Sequence, residues 1–207
     1  MILFDFDGTL ADTISLGITL LNSYSDKFGY KKLDLEKNKG LSALQLMSVA
    51  QISFWKLPYL VCFFKKKLVE SGSQIKMING VQTMLSELKN AGFKMGILTS
   101  NSLQTVQNFL KTYEIESYFS YIKTDVPVFG KKRALSKAKR QIKSDFIYVG
   151  DELRDVEACR KNDIPVVSVC WGFNSFEVLE QNNPKMVAKN TAEAVNLIKA
   201  AVQNNLK

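Results

Sequence analysis

The stretch Ile2-Leu3-Phe4-Asp5-Phe6-Asp7-Gly8-Thr9-Leu10 decides how this chain folds. Three apolar residues run into two carboxylates and a glycine. That is the pattern of a buried parallel strand delivering acidic side chains to the edge of its sheet. Residues i and i+2 of an extended chain project to the same side, so Asp5 and Asp7 are expected at one centre. One can attack phosphorus as a carboxylate nucleophile while the other handles protons, and a divalent cation can hold both. Gly8 then permits a sharp turn that a Cβ would obstruct.

After this stretch, Asp12 or Thr13 can cap a helix running through Ile14, Ile18 and Leu21 toward Phe28, with Gly29 as its stop. Only helical periodicity follows as far as Ile78, with segments over Leu41 to Ile52 and Tyr59 to Val69 and a closing Asn79-Gly80 turn. Beyond it, helix and strand alternate. The helices are expected at 82–91, Ser102 to Tyr113, Lys132 to Gln141 and Asp155 to Lys161. The strands are expected at Lys94 to Leu98, Tyr118 to Lys123, Phe146 to Val149 and Val166 to Val169. Such alternation predicts a parallel sheet with right-handed crossovers. The expected fold is α/β, a Rossmann-like parallel sheet with helices on both faces formed by residues 1–13 and 79–207. Residues 14–78 are expected to be an inserted all-helical cap domain.

Ligands of an open parallel sheet sit beyond the carboxyl ends of its strands. Thr99-Ser100-Asn101 follows the strand ending at Leu98. A hydroxyl followed by free backbone amides at a helix start suits a phosphate oxygen, and the same residues also suit an ordinary N-cap. Gly150-Asp151-Glu152-Leu153-Arg154-Asp155 follows another strand. It sets one carboxylate at the strand end and a second in the next turn, both able to face a hard cation. Gly130-Lys131-Lys132 lies between these motifs. A lysine there can neutralise a phosphate and a nucleophilic aspartate together, and both lysines are candidates.

Composition narrows the chemistry. The chain of 207 residues can bury a proper core as one domain with a large insertion or as two small ones. Its 46% hydrophobic and 23% charged content is ordinary for a soluble globular protein. No apolar stretch approaches membrane-spanning length, since Phe54 to Phe64 is interrupted by Lys56 and Pro58. The first residues enter a core strand without a basic leader, so a cytoplasmic protein is expected. The chain has no histidine, and Cys62, Cys159 and Cys170 lack C-x-x-C spacing. A Ser-His-Asp triad is therefore excluded, a zinc site is disfavoured, and proton transfer falls to other side chains. The net charge of +8 is spread out apart from Lys65-Lys66-Lys67 and the segment Lys131 to Lys143. Both tracts read as solvated helix faces, and a positive field also attracts phosphorylated metabolites.

Taken in order, these motifs resemble the haloacid dehalogenase superfamily, most of whose members are phosphatases, across the whole chain. The resemblance is closest to the phosphoglycolate phosphatase-like branch. That branch has a helical cap between the first motif and a Gly-Val helix start, here Gly80-Val81. It also has a Trp/Tyr-Gly-Phe/Tyr turn after the last parallel strand, here Trp171-Gly172-Phe173. The resemblance implies Asp5 as nucleophile and Asp7 as general acid/base, with Thr99, Ser100 and Lys131 on phosphate. It implies Mg²⁺ on Asp5, Asp7 and Asp151, with Asp155 supporting the metal's water shell or the lysine, and Gly8 and Asn101 as further supporting residues. The implied reaction is hydrolysis of a small phosphate monoester through an aspartyl-phosphate. The implied partner is a small phosphorylated metabolite, with no nucleic acid or membrane, for a monomer or homodimer.

The chain departs from the family in having Gly-Lys-Lys-Arg at 130–133 where many relatives have Lys-Pro-x-Pro, and Asn79 where a proline is common. Lys39-Gly40-Leu41-Ser42 resembles the specificity loop of related sugar phosphomutases and also reads as a helix-joining turn. A phosphomutase is one alternative, although such relatives usually carry Gly-Val where this chain has Gly8-Thr9. A catalytically idle binding protein is another, although such proteins tend to lose a motif acid and none is missing here. Dehalogenation is disfavoured by Asp7, since relatives doing that chemistry generally lack the second acid.

Overall fold

A computed structural model describes residues 1–34, 37, 43–70, 75–127 and 130–205. One parallel sheet holds six strands: β1 (Ile2–Phe4), β2 (Met95–Leu98), β3 (Phe119–Lys123), β4 (Ile147–Gly150), β5 (Val166–Val169) and β6 (Val187–Ala188). Their order is β3-β2-β1-β4-β5-β6. The chain starts in the middle of the sheet, winds outward through β2 and β3, then crosses to the other side of β1 for the rest. The winding therefore reverses between β1 and β4, the position where open α/β sheets bind ligands. Phe4 pairs with Val149, and the Asp5 amide donates to Val149 O across 2.8 Å. This extra bond carries Asp5 to the sheet edge beside Gly150 and Asp151.

The described residues between β1 and β2 are helical in the main. They form α1 (Thr13–Ser23), α2 (Ser25–Phe28), α3 (Ala43–Val49), a 3₁₀ turn at Phe54–Lys56 and α4 (Leu57–Glu70). Asp12 caps α1 by accepting from the Ser15 amide, and Gly29, at φ 68°, ends α2. One continuous helix was expected here, but the chain breaks at Tyr24. The Ser25 hydroxyl takes the Asn22 carbonyl at 2.9 Å, and the Tyr24 amide turns to Leu21 O at 3.0 Å. This section has its own small core of Ile18, Leu33 and Ala50, with Leu21, Leu46 and Ile52 against it. Two adjacent chain segments join it to the sheet. The Asp12 amide donates to Lys76 O at 2.8 Å and the Ile78 amide to Leu10 O at 3.1 Å. Lys39-Gly40-Leu41-Ser42 lies outside the described residues.

The remaining helices are α5 (Val81–Asn90), α6 (Leu103–Thr112), α7 (Lys131–Ile142), α8 (Leu153–Arg160), α9 (Phe176–Asn182) and α10 (Thr191–Asn205). Ile2 and Phe4 share one buried layer with Leu85 and Leu88 of α5, Phe109 of α6 and Ile198 of α10. Leu3 faces the opposite layer, with Leu135 of α7 and Val156 of α8. Successive residues of β1 thus face opposite layers, as the two-residue period of a strand demands, and both sheet faces are covered. Two boundaries differ from expectation in ways that matter below. Helix α7 starts at Lys131, and α8 starts at Leu153 with Glu152 and Asp155 forming a reciprocal capping box. The chain beyond Val169 adds α9, β6 and α10, and the two residues of β6 are too few to display any period.

Candidate active site

Asp5 directly follows β1, and its Oδ1 accepts the Phe6 amide at 2.8 Å. Its Oδ2 accepts from Lys131 Nζ, which also donates to Asp155 Oδ1. Lys131 is buried at the start of α7, 5.3 Å from the centre of the Tyr148 ring. Neighbouring Lys132 is exposed, so of the two lysines only Lys131 meets these acids. Asp151 follows β4. Its Oδ1 accepts the Thr9 hydroxyl at 2.9 Å and its Oδ2 the Phe173 amide at 2.7 Å. Carboxylate oxygens of Asp5, Asp151 and Asp155 all lie within 4.8 Å of one another, and all three residues are buried.

Burial, and then the charges of Asp5 and Asp155, push the Asp151 carboxyl well above the usual carboxylate range. Burial also raises Asp155, against the pull of Lys131. For Lys131, burial disfavours the ammonium, but Asp155 and Asp5 more than offset it and hold the group well above the ordinary lysine range. Three buried carboxylates facing one buried ammonium leave an excess of negative charge that a low-dielectric site does not tolerate alone. The donors are all hard oxygens, the set that suits Mg²⁺ or Ca²⁺. A divalent cation therefore fits this trio in both charge and ligand type.

Close packing around Asp151 explains two glycines. A Cβ on Gly8 or on Gly172 would overlap Asp151 Oδ2, and Gly8 also sits at φ 70°, a conformation that strains any other residue. The Trp171-Gly172-Phe173 turn thus folds directly over the acid. Trp171 Nε1 reaches back to Thr9 O at 3.2 Å, tying this turn to the loop after β1.

The side chain of Asp7, the third acid expected on the cation, is bonded to the end of β2 and does not belong to the trio of Asp5, Asp151 and Asp155. Strand β1 ends at Phe4, and the next residues wrap around the Phe6 carbonyl, which accepts the amides of Thr9, Leu10 and Ala11. Asp7 Oδ1 accepts Asn101 Nδ2 at 2.9 Å, and its Oδ2 accepts the Thr99 hydroxyl at 3.2 Å. Burial raises the Asp7 carboxyl above its usual range and the Asp5 charge adds to this, while hydrogen bonds from Thr13, Asn101 and Thr99 oppose it.

Thr99 is buried at the end of β2, and its hydroxyl oxygen also accepts the Asn101 amide at 3.0 Å. Ser102, rather than Thr99, caps α6 by accepting from the Thr105 amide. That leaves the Thr99-Ser100-Asn101 segment to face the loop after β1, with Ser100 half-buried within it. Thr9, Tyr148 and the Phe173 amide carry no site role in the sequence patterns. Thr9 and Phe173 both stand inside the motifs quoted above, but a strand pattern does not reveal which acid their donors meet. Tyr148 is a core residue by pattern, yet its hydroxyl donates to Leu98 O at 3.2 Å and so links β4 to the end of β2.

This geometry has known counterparts. The family model of haloacid dehalogenase-like hydrolases matches residues 2–169. The chain belongs to that family. It is 33% identical over 184 residues to a phosphoglycolate phosphatase of Synechococcus elongatus, covering 86% of this chain and 87% of that one. It is also 28% identical to the pyrophosphatase PpaX of Bacillus mycoides, covering 90% of each chain. Among solved structures, a predicted phosphatase from Clostridium acetobutylicum superposes with a TM-score of 0.78 at 24% identity, over 96% of this chain and 97% of that one. These likenesses place the chain in the phosphoglycolate phosphatase-like branch of the haloacid dehalogenase family, as a phosphoric monoester hydrolase with a helical cap inserted after β1.

Proposed function

We propose that this haloacid dehalogenase-family enzyme hydrolyses a small phosphate monoester in two steps through an aspartyl-phosphate on Asp5, with Mg²⁺ as cofactor. The observation that carries this reading is Lys131 bridging Asp5 and Asp155 beside Asp151 at the point where the sheet winding reverses. A buried ammonium in contact with a carboxylate lets that carboxylate approach a phosphate dianion without prohibitive repulsion. The Phe6 amide and Lys131 fix the orientation of Asp5 for in-line attack.

Asp7 then protonates the departing alcohol and, in the second step, takes the proton of the attacking water. Its bonds to Thr99 and Asn101 hold the carboxyl at one side of Asp5, and no histidine competes for the role. Lys131, Thr99 and the Ser100 region neutralise and orient the phosphoryl oxygens. Asp5 and Asp151, backed by Asp155, would hold the Mg²⁺, which when bound supplies positive charge to those oxygens. Residues 14–78 serve as the cap that excludes bulk water, over a core of residues 1–13 and 79–207.

The likeness to a phosphoglycolate phosphatase over most of both chains favours phosphoglycolate or a similarly small phosphorylated metabolite as substrate. The enzyme is proposed to act in the cytoplasm, as a monomer or homodimer. The test is turnover of phosphoglycolate, pyrophosphate and an aryl phosphate, with Mg²⁺ and with a chelator, by the native protein and by Asp5→Asn. The amide is nearly isosteric but cannot form the acyl-phosphate, so a loss of roughly 10⁴-fold or more in kcat is expected from a folded variant. Near-native turnover by that variant would remove Asp5 as nucleophile.

A further inference from the structure

We propose that the distal tip of the inserted helical section is a peripheral docking surface for an anionic lipid bilayer. Helices α1 and α2 follow one another from Thr13, next to Asp7, to Phe28, with the break at Tyr24 between them. At that far end, Lys56 Nζ donates to Phe28 O at 3.0 Å, the Lys31 amide donates to Ala50 O at 2.8 Å, and the Tyr59 ring meets the Phe28 ring edge-on at 5.9 Å. Three chain segments thus converge on one surface, and it carries neither a catalytic acid nor a residue assigned to phosphate.

The chemistry of this surface is unusual for a soluble enzyme. Trp55 is 89% exposed, Phe54 67% and Tyr59 60%. Exposed Lys31, Lys32 and Lys56 belong to the same converging segments, and Lys27 lies over the Tyr24, Phe28 and Phe63 rings. The sequence from 14 to 78 holds ten lysines against four acids, so it accounts for +6 of the net charge of +8. Projecting aromatic rings ringed by lysines are the combination that inserts at a lipid headgroup layer and is drawn to anionic lipids.

Other occupants fit less well. A second copy seated tip to tip would set lysines against lysines. Stacking of nucleic-acid bases needs a series of open ring faces. Here Phe54 and Trp55 meet edge-to-face, Tyr59 meets Phe28 edge-on, and the near-parallel rings, Tyr59 with Phe63 and Phe28 with Tyr30, are paired with each other. A groove-bound acidic peptide would need the rings to line a cleft, whereas a side chain as exposed as Trp55 projects from the surface. No helix among the described residues is long and apolar enough to cross a membrane, so the contact is peripheral. This departs from the expectation of no membrane partner.

The chain's two tryptophans make the test direct. Trp171 is half-buried with its Nε1 bonded to Thr9 O, so vesicles should shift the emission of Trp55 alone. The native protein is titrated with vesicles of phosphatidylcholine alone and of phosphatidylcholine mixed equally with phosphatidylglycerol. Tryptophan emission and co-sedimentation are read at low and high salt. The expected result is a blue shift and co-sedimentation on the anionic vesicles only, weakened by salt. Trp55→Phe should remove the shift. Lys31→Ala and Lys56→Ala should each lower partitioning about five-fold, with unchanged circular dichroism. The proposal is overturned by unchanged emission on anionic vesicles, by equal binding to neutral ones, or by lysine variants that bind as well as the native protein. It is equally overturned by a shift that follows duplex DNA or protein concentration in place of vesicles.

Discussion

The Phe173 amide donates to Asp151 Oδ2 at 2.7 Å, so the turn after β5 holds the acid that ends β4. Gly172 makes this possible, because a Cβ at that position would overlap Asp151 Oδ2 and Cβ as well as Gly8 O. The backbone of one turn and the backbone of the first motif thus clasp a single carboxylate from both sides.

Gly172→Ala should therefore displace Asp151 rather than simply crowd a loop. Overpacking at such a site costs about 1–3 kcal/mol of stability. Turnover should fall, and the Mg²⁺ concentration needed for half-maximal activity should rise, since the displaced group is a proposed cation ligand. Chemical denaturation and a Mg²⁺ titration of activity read the two effects separately. An alanine variant with native Mg²⁺ dependence would show that the turn does not position Asp151.

The charge balance of the acid trio yields a second expectation. Lys131 is the buried cation bonded to Asp5 and Asp155. Lys131→Met removes it while keeping much of its apolar bulk, and losing one partner of a buried ion pair costs about 3–5 kcal/mol. Divalent cations should recover part of that loss. A ligand that binds only the folded state stabilises it by about 2.7 kcal/mol at a hundred-fold excess over its dissociation constant. Thermal unfolding with Mg²⁺ and with chelator should show a shift in the native protein and a larger one in Lys131→Met. Asp151→Asn should respond little. If Mg²⁺ moves none of the three, the trio does not hold the ion.

Much of this arrangement was legible in the sequence because it depends on strand ends. Ile2 to Phe4, Met95 to Leu98 and Ile147 to Val149 are apolar runs with polar residues behind them, and a parallel sheet places all such ends on one edge. Side-chain direction beyond the strand was not legible. The loop in which the Thr9, Leu10 and Ala11 amides wrap around the Phe6 carbonyl sets the Asp7 side chain against Thr99 and Asn101, and no pattern of residue types encodes those bonds. The burial of Lys131 against Asp5 goes with a helix start one residue earlier than the periodicity suggests. The lipid-facing character proposed for the tip was hidden for another reason. Phe54, Trp55 and Tyr59 are of types found both in cores and at surfaces, and only their exposure distinguishes the two.

Thr9 offers a near-isosteric test of a neutral donor. Its hydroxyl, fully buried, donates to Asp151 Oδ1 at 2.9 Å. Thr9→Val keeps the shape and removes the donor, leaving a buried carboxylate oxygen without that partner at a cost of about 1–3 kcal/mol. Thr9→Ser should retain most of the function. Valine is also the residue that phosphomutase-type relatives usually carry here, so the substitution asks whether hydrolysis needs the hydroxyl. A valine variant equal to the native protein in unfolding free energy and in kcat would assign Thr9 to packing alone.

Asp7 is the group whose replacement should separate the two chemical steps. Its carboxyl is held by Thr99 and Asn101 beside Asp5, outside the cluster of Asp5, Asp151 and Asp155. It is thus placed to exchange protons without serving in the acid trio. An alkyl leaving group departs as a strongly basic alkoxide and needs a proton in the transition state, whereas a phenolate departs without help. Asp7→Asn keeps an acceptor for the Thr99 hydroxyl, so the fold of the loop should persist. Phosphorylation of Asp5 should then slow by about 10²–10⁴-fold for an alkyl phosphate and far less for an aryl phosphate. Breakdown of the aspartyl-phosphate should slow for both, because the same residue must take the proton of the attacking water. Single-turnover kinetics with the two esters distinguishes these steps, and equal losses in the phosphorylation step would place the proton donor on another residue.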